Sequence, residues 1–269
     1  MARTPELETG YGPSSPGGDN LLNDFVQESA ASYAAFGAGR GDRLGRVEGV
    51  VTLIDAGSPL PFINRAVLER PIVDLTTVLD HVRPFYDAGP ATPFLLDSAW
   101  PTPDLGPIGF APMGHPPLMV RLAGGPFPPP PRELRIVPVD DNRTAFDYER
   151  ALIYGYPAPQ LQPMTEVTLI TPRALGAPGW HHFVGYVDAE PVASGSGYVG
   201  DRLVRVDNIA TLESARGKGY GLALTAAAAA VDPSKPATLV ASDLGRGVYE
   251  RLGFLAISRS TYWLGLRSP

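Results

Sequence analysis

A strand that ends in a glycine turn and runs straight into an alanine-rich helix constrains this chain more than any other stretch. Leu203 to Leu212 reads as a strand, Arg216-Gly217-Lys218-Gly219-Tyr220-Gly221 follows, and a helix is expected from about Gly219 to Val231, stopped by Asp232-Pro233. Glycines allow a sharp turn and close backbone approach, and the first N–H groups of the helix lack partners. With the helix dipole, and with Arg216 and Lys218 beside it, such a turn makes an anion-sized cradle. Tight packing of the helix on a sheet would explain the same glycines. The turn lacks the Gly-Lys-Ser/Thr ending of a nucleoside triphosphate loop, and no early β-α-β unit accompanies it, which demotes dinucleotides as well.

The chain of 269 residues has room for two domains of ordinary size. Gly124-Gly125-Pro126-Phe127-Pro128-Pro129-Pro130-Pro131 reads as an extended linker near its middle. Downstream, a strand is expected over Leu134–Val139, then a helix capped by Asn142. A Pro-rich, mobile-looking segment extends to Gly179, followed by a hairpin of two strands, His182–Val187 and Val192–Val199. After the glycine turn and its helix come a strand over Ala237–Ser242, a short helix around Gly247–Leu252 and a last strand over Phe254–Leu264. This order predicts an α+β fold, a mixed, mainly antiparallel sheet flanked by helices.

Composition narrows the partners. The net charge of −6, without any basic run, leaves no electrostatic footprint for nucleic acid or an anionic membrane. Absence of cysteine excludes a disulfide, a thiolate nucleophile and a Cys-ligated metal. No apolar stretch reaches membrane-spanning or signal-peptide length, so a cytoplasmic location is the expectation.

The run Ile209-Ala210-Thr211-Leu212-Glu213-Ser214-Ala215-Arg216-Gly217-Lys218-Gly219-Tyr220-Gly221-Leu222-Ala223-Leu224 resembles the acyl-CoA motif of the GNAT superfamily of N-acetyltransferases. About thirty residues on, Val248-Tyr249-Glu250-Arg251-Leu252-Gly253-Phe254 resembles that family's second signature. The resemblance covers roughly residues 132–267. It implies acetyl-CoA as acyl donor, with backbone groups of Ala210, Thr211 and Leu212 on the pantetheine arm and the loop Arg216, Gly217, Lys218, Gly219, Tyr220, Gly221, Leu222 and Ala223 around the pyrophosphate. Tyr249 falls where many members place the residue near the thioester sulfur, and a phenol is a suitable proton donor to a departing thiolate. Many members carry a pantetheine-contacting Asn seven residues earlier, where this chain has Ser242.

For a base, strict alternation puts Arg205, Asp207, Ile209, Thr211 and Glu213 on one face of the strand. Asp207 is the nearest carboxylate, though an acid beside Arg205 and Arg202 is more often just ion-paired. Adjacent His181 and His182 point to opposite faces and lack a third ligand, so no metal is expected. Ser194-Gly195-Ser196-Gly197 lies inside a hairpin, not at a nucleophile elbow.

In the first half, Gly109-Phe110 before a strand is a faint copy of Gly253-Phe254. The chain thus resembles tandem GNAT proteins, with a flexible N-terminus (1–19), a degenerate domain (20–123) lacking the glycine loop, the linker (124–131) and an acetyltransferase domain (132–269). The expected activity is direct attack of a primary amine on acetyl-CoA; the alternative is a non-catalytic acyl-CoA-binding regulator. Small amines, antibiotics, amino acids and peptide N-termini all remain as acceptors, and a homodimer is compatible with the sequence.

Overall fold

A computed structural model describes residues 21–156, 158–243 and 245–266; the predicted flexible segment 1–19 lies outside the described residues. Thirteen strands are described: β1 (Arg43–Val47), β2 (Val51–Asp55), β3 (Arg65–Leu68), β4 (Phe94–Ser98), β5 (Phe110–Gly114), β6 (Pro117–Arg121), β7 (Arg135–Pro138), β8 (Trp180–Val187), β9 (Glu190–Val199), β10 (Val204–Thr211), β11 (Ala237–Val240), β12 (Leu255–Arg259) and β13 (Thr261–Gly265). The α-helices are α1 (Leu21–Arg40), α2 (Arg83–Asp87), α3 (Asn142–Gly155), α4 (Pro172–Leu175), α5 (Tyr220–Ala229) and α6 (Arg246–Glu250), with a π-helical turn, Val78–Val82, leading into α2.

The strands form two sheets, of order β1-β2-β3-β4-β13-β5 and β7-β8-β9-β10-β11-β6-β12. From β1 and β8 onward the two match place for place. In each, the third and fourth strands of the match (β3–β4, β10–β11) pair in parallel and the other described pairs are antiparallel. The fifth place is exchanged: β13, from the end of the chain, completes the first sheet, and β6, from before the linker, completes the second. Residues 110–121 and 255–265 thus run as one antiparallel ribbon through both sheets, from Phe110 opposite Gly265 to Val120 opposite Leu255, bridged by Ser260 N–H to Pro116 O at 2.9 Å. The linker 124–131 therefore divides the sequence but not the sheets. Leu118 and Met119 are fully buried and Val120 is 3% exposed, because β6 has a strand on either side and core on its faces.

Local chemistry explains several departures from the predicted elements. Asp141, not Asn142, caps α3: its carboxylate accepts from Thr144 N–H in a reciprocal capping box. Residues 43–55 form the hairpin β1–β2, turned at Gly49 with φ 64°. Asp188 and Ala189, both at positive φ, make a two-residue turn between β8 and β9 that matches strand twist. The last predicted strand breaks at Ser260 into β12 and β13. The segment expected to be mobile is pinned, since the fully buried Glu149 carboxylate of α3 accepts from Thr168 N–H and hydroxyl and from Leu169 and Ile170 N–H at 2.7–3.1 Å.

His181 and His182 do face opposite ways, His182 inward. Its Nδ1 lies 2.8 Å from Ser196 Oγ, which is 2.6 Å from Tyr148 Oη, and its ring stacks on Trp180. Burial, and secondarily His181, lowers its pKa to about 4. A depressed folded value means that the unfolded chain binds the proton first. The contribution of neutral His182 to stability is therefore whole above about pH 6.5 and is lost as pH falls toward 4, roughly 3 kcal/mol in all. Chemical denaturation between pH 7 and 4 should show this loss in the native chain and a shallower one in His182→Gln; identical slopes would refute it.

Candidate active site

The candidate site opens where β10 leaves β11. The two pair only at Val204 opposite Ala237 and Arg205 opposite Thr238, then diverge. A bulge between Asp207 and Ala210 accompanies the divergence, with Asn208 at φ 57°, a left-handed conformation that Asn tolerates better than most residues. The extra residue corrects the expected alternation. Ile209 turns to the α5 side with Leu222 and Leu224, whereas Ala210 joins Tyr148 and Leu152 beneath α3.

Past the bulge the three predicted pantetheine residues are not equivalent. Ala210 is opposite Ser194 in the ladder, and Leu212 N–H donates to Val192 O at 2.9 Å. Alternation of the ladder therefore turns the Thr211 N–H away from β9 and into the divergence. Gly155, closing α3, packs against it: a Cβ there would lie 2.9 Å from Thr211 N and 3.0 Å from Ala210 Cβ. Gly155→Ala should cost about 1–3 kcal/mol, displace Thr211 and weaken acetyl-CoA binding. Thermal unfolding and calorimetry check both effects; unchanged affinity would separate Thr211 from the donor site.

In the glycine loop, Gly217 (φ 80°) and Gly219 (φ 84°) adopt left-handed conformations, and Gly219 is the N-cap of α5, with no side-chain cap. The amides of Tyr220, Gly221 and Leu222 begin the helix and have no intrahelical acceptor. The predicted cradle is trimmed at both ends. Ala223 N–H donates to Gly219 O, and the side chain of Tyr220 is buried, its hydroxyl donating to Glu133. Arg216 braces backbone, donating from Nη2 to Gly155 O at 3.0 Å and from Nε to Thr211 O at 3.3 Å. Lys218 is exposed beside the loop. An open cleft of about 630 Å³, lined by Arg150, Tyr154, Leu212, Glu213 and Ser214, adjoins the end of β10.

Tyr249, on α6, is partly buried and meets Phe254 edge-on. Burial, and then the Asp207 carboxylate, pushes its hydroxyl up to about 12. Ser242 is exposed, and its Oγ accepts from Gly245 N–H at 3.0 Å in the turn before α6, leaving the hydroxyl proton for a ligand. Asp207 is ion-paired with Arg205 at 3.0 Å and accepts from the Tyr33 hydroxyl at 3.3 Å.

No family model matches the sequence, and no curated protein matches it. Solved structures do. The GCN5-related N-acetyltransferase from Kribbella flavida superposes with a TM-score of 0.65 at 19% identity, over 91% of this chain and 95% of that one. A GCN5-related N-acetyltransferase from Sphaerobacter thermophilus gives 0.51 at 13% identity, over 76% and 72%. A tandem GNAT protein from the clavulanic acid biosynthesis pathway gives 0.53 at 14% identity, over 94% and 97%.

The chain has a tandem GNAT fold.

The two halves of this GNAT fold differ where the site lies. Gly109 and Gly253 both have φ 83°, and Phe110 and Phe254 each donate their N–H five residues back, to Leu105 O and Tyr249 O. The turn is repeated; the phenol is not, since Leu105 stands in its place. Between β3 and its following helix the first half has Glu69-Arg70-Pro71-Ile72-Val73-Asp74-Leu75-Thr76, which contains no glycine. Asn64 ties a loop through Ala56, Ser58 and Pro93. Arg65 runs inward to Asp97 at 2.9 Å and lies over the Tyr33 ring. Tyr33, Arg65 and Asp97 reach the neighbourhood of Asp207 only in three dimensions, and nothing local marks them.

Proposed function

We propose that the chain is an N-acyltransferase that moves an acetyl group from acetyl-CoA to a primary amine by direct attack in a ternary complex. The observation that carries this reading is the divergence of β10 and β11 beside an uncapped, glycine-turned helix start. Acetyl-CoA supplies an activated acyl carbon and a stable leaving thiolate. The amides of Tyr220, Gly221 and Leu222, with Lys218 beside them, suit its pyrophosphate. The outward Thr211 amide suits its pantetheine arm, and the Ser242 hydroxyl has a donor to offer. Asp207 would take the proton of the incoming ammonium, directly or through water, before the free amine forms the new C–N bond and sheds its second proton to solvent. Tyr249 would donate to the sulfur as the C–S bond breaks. No protein nucleophile enters.

Thiol release from acetyl-CoA with a panel of amines tests the proposal, alongside calorimetric binding of acetyl-CoA. Amine-dependent release supports it. Tight binding without release for any amine would favour the alternative, a non-catalytic acyl-CoA-binding regulator, for which the ion pair on Asp207 is the one favourable feature.

A further inference from the structure

We propose, on the acyltransferase reading above, that the acceptor is a primary amine with no carboxylate beside its reacting nitrogen, received against a wall that α1 supplies through Tyr33. The ring of Tyr33 lies between two guanidinium groups, Arg65 of β3 at 4.2 Å and Arg205 of β10 at 4.0 Å from its centroid. Tyr33 thereby bridges the two sheets beside Asp207.

Both cations are already committed. Arg65 is paired with Asp97, and the two are 6% and 4% exposed. Arg205, 4% exposed, donates to the Ser32 hydroxyl at 3.0 Å, to the Tyr33 hydroxyl and to Asp207. The side chain of Asp207, by contrast, keeps 27% of its surface open. This end of the site thus offers an incoming molecule one open carboxylate. An ammonium is attracted to it. A carboxylate next to that ammonium would face like charge, with the guanidinium groups of Arg65 and Arg205 buried and already paired.

Within this arrangement Tyr33 is a positioning residue. Its hydroxyl accepts from Arg205 and donates to Asp207, so it holds the carboxylate in place without touching the reacting atoms.

The test measures thiol release from acetyl-CoA for matched sets with aromatic, aliphatic and imidazole side chains, each comprising the free amino acid, its amide and the decarboxylated amine. The expected result is kcat/KM at least about tenfold higher for the amide and the decarboxylated amine than for the amino acid. Tyr33→Phe should raise the acceptor KM and narrow that preference while leaving calorimetric acetyl-CoA affinity unchanged. Equal or faster transfer to free amino acids overturns the inference and leaves the acyltransferase reading standing. Acetyl-CoA binding without transfer to any member overturns both.

Discussion

Tyr249→Phe lowers kcat for acetyl transfer by about 10²–10³-fold with little change in acetyl-CoA affinity. The substitution keeps the ring that packs on Phe254 and removes the hydroxyl, so binding and fold are preserved while the proton donor is lost. The hydroxyl differs from an ordinary phenol. Because burial and Asp207 raise it to about 12, it stays protonated through the working range and serves as a hydrogen-bond donor to the sulfur as negative charge develops there. The alkaline limb due to this group should accordingly lie near 12 rather than near 10 in the native chain and be absent in Tyr249→Phe. Wild-type turnover in the variant would mean that the sulfur leaves without it, and the assignment would fail.

Residues 132–269 produced without the first half should fail to fold, and so should the chain truncated after Ser260. The first deletion removes β6 from between β11 and β12, stripping Leu118, Met119 and Val120 from the core. At about 1.5–3 kcal/mol for each buried side chain, the loss approaches the whole stability of an ordinary domain, before any ladder hydrogen bonds are counted. The truncation removes β13 from between β4 and β5 and leaves β5 without a neighbour. Circular dichroism and thermal melts of each fragment check this. Two fragments divided within 124–131 and produced together should recover a cooperative transition, because each brings the strand the other lacks. Independent folding of 132–269 would show that the ribbon is dispensable.

The tandem arrangement bears on what the first half does. It repeats the strand order and the Gly-Phe turn yet has Leu105 in place of the phenol and no glycines after β3. The features it keeps are those that form a sheet, and the ones it lacks are those assigned to the donor. Through Tyr33, which donates to Asp207 and packs on Arg65, it still reaches the second half beside Asp207.

Much of the second half was legible because its signals are local. A left-handed turn needs glycine, so Gly217 and Gly219 mark the start of α5, and Gly253-Phe254 marks the end of α6. The hairpin β8–β9 and the opposite directions of His181 and His182 follow from strand alternation. Alternation failed once, at Asn208, because a bulge is decided by how two strands must diverge and not by the residues of one. Roles that depend on where a distant chain ends were also hidden: Arg216 bracing Gly155, Glu149 holding the 168–170 backbone, and Tyr33 between two arginines.

By itself, then, the sequence determined the α+β element order, the glycine turn and the Tyr249 signature, since each is written in backbone preferences within a few residues. Only the tertiary structure decided which strands share a sheet, and that Asp207 lies against the first half. The exchange of β6 and β13 and the packing of Tyr33 on Arg205 exist only once residues more than a hundred positions apart are desolvated together.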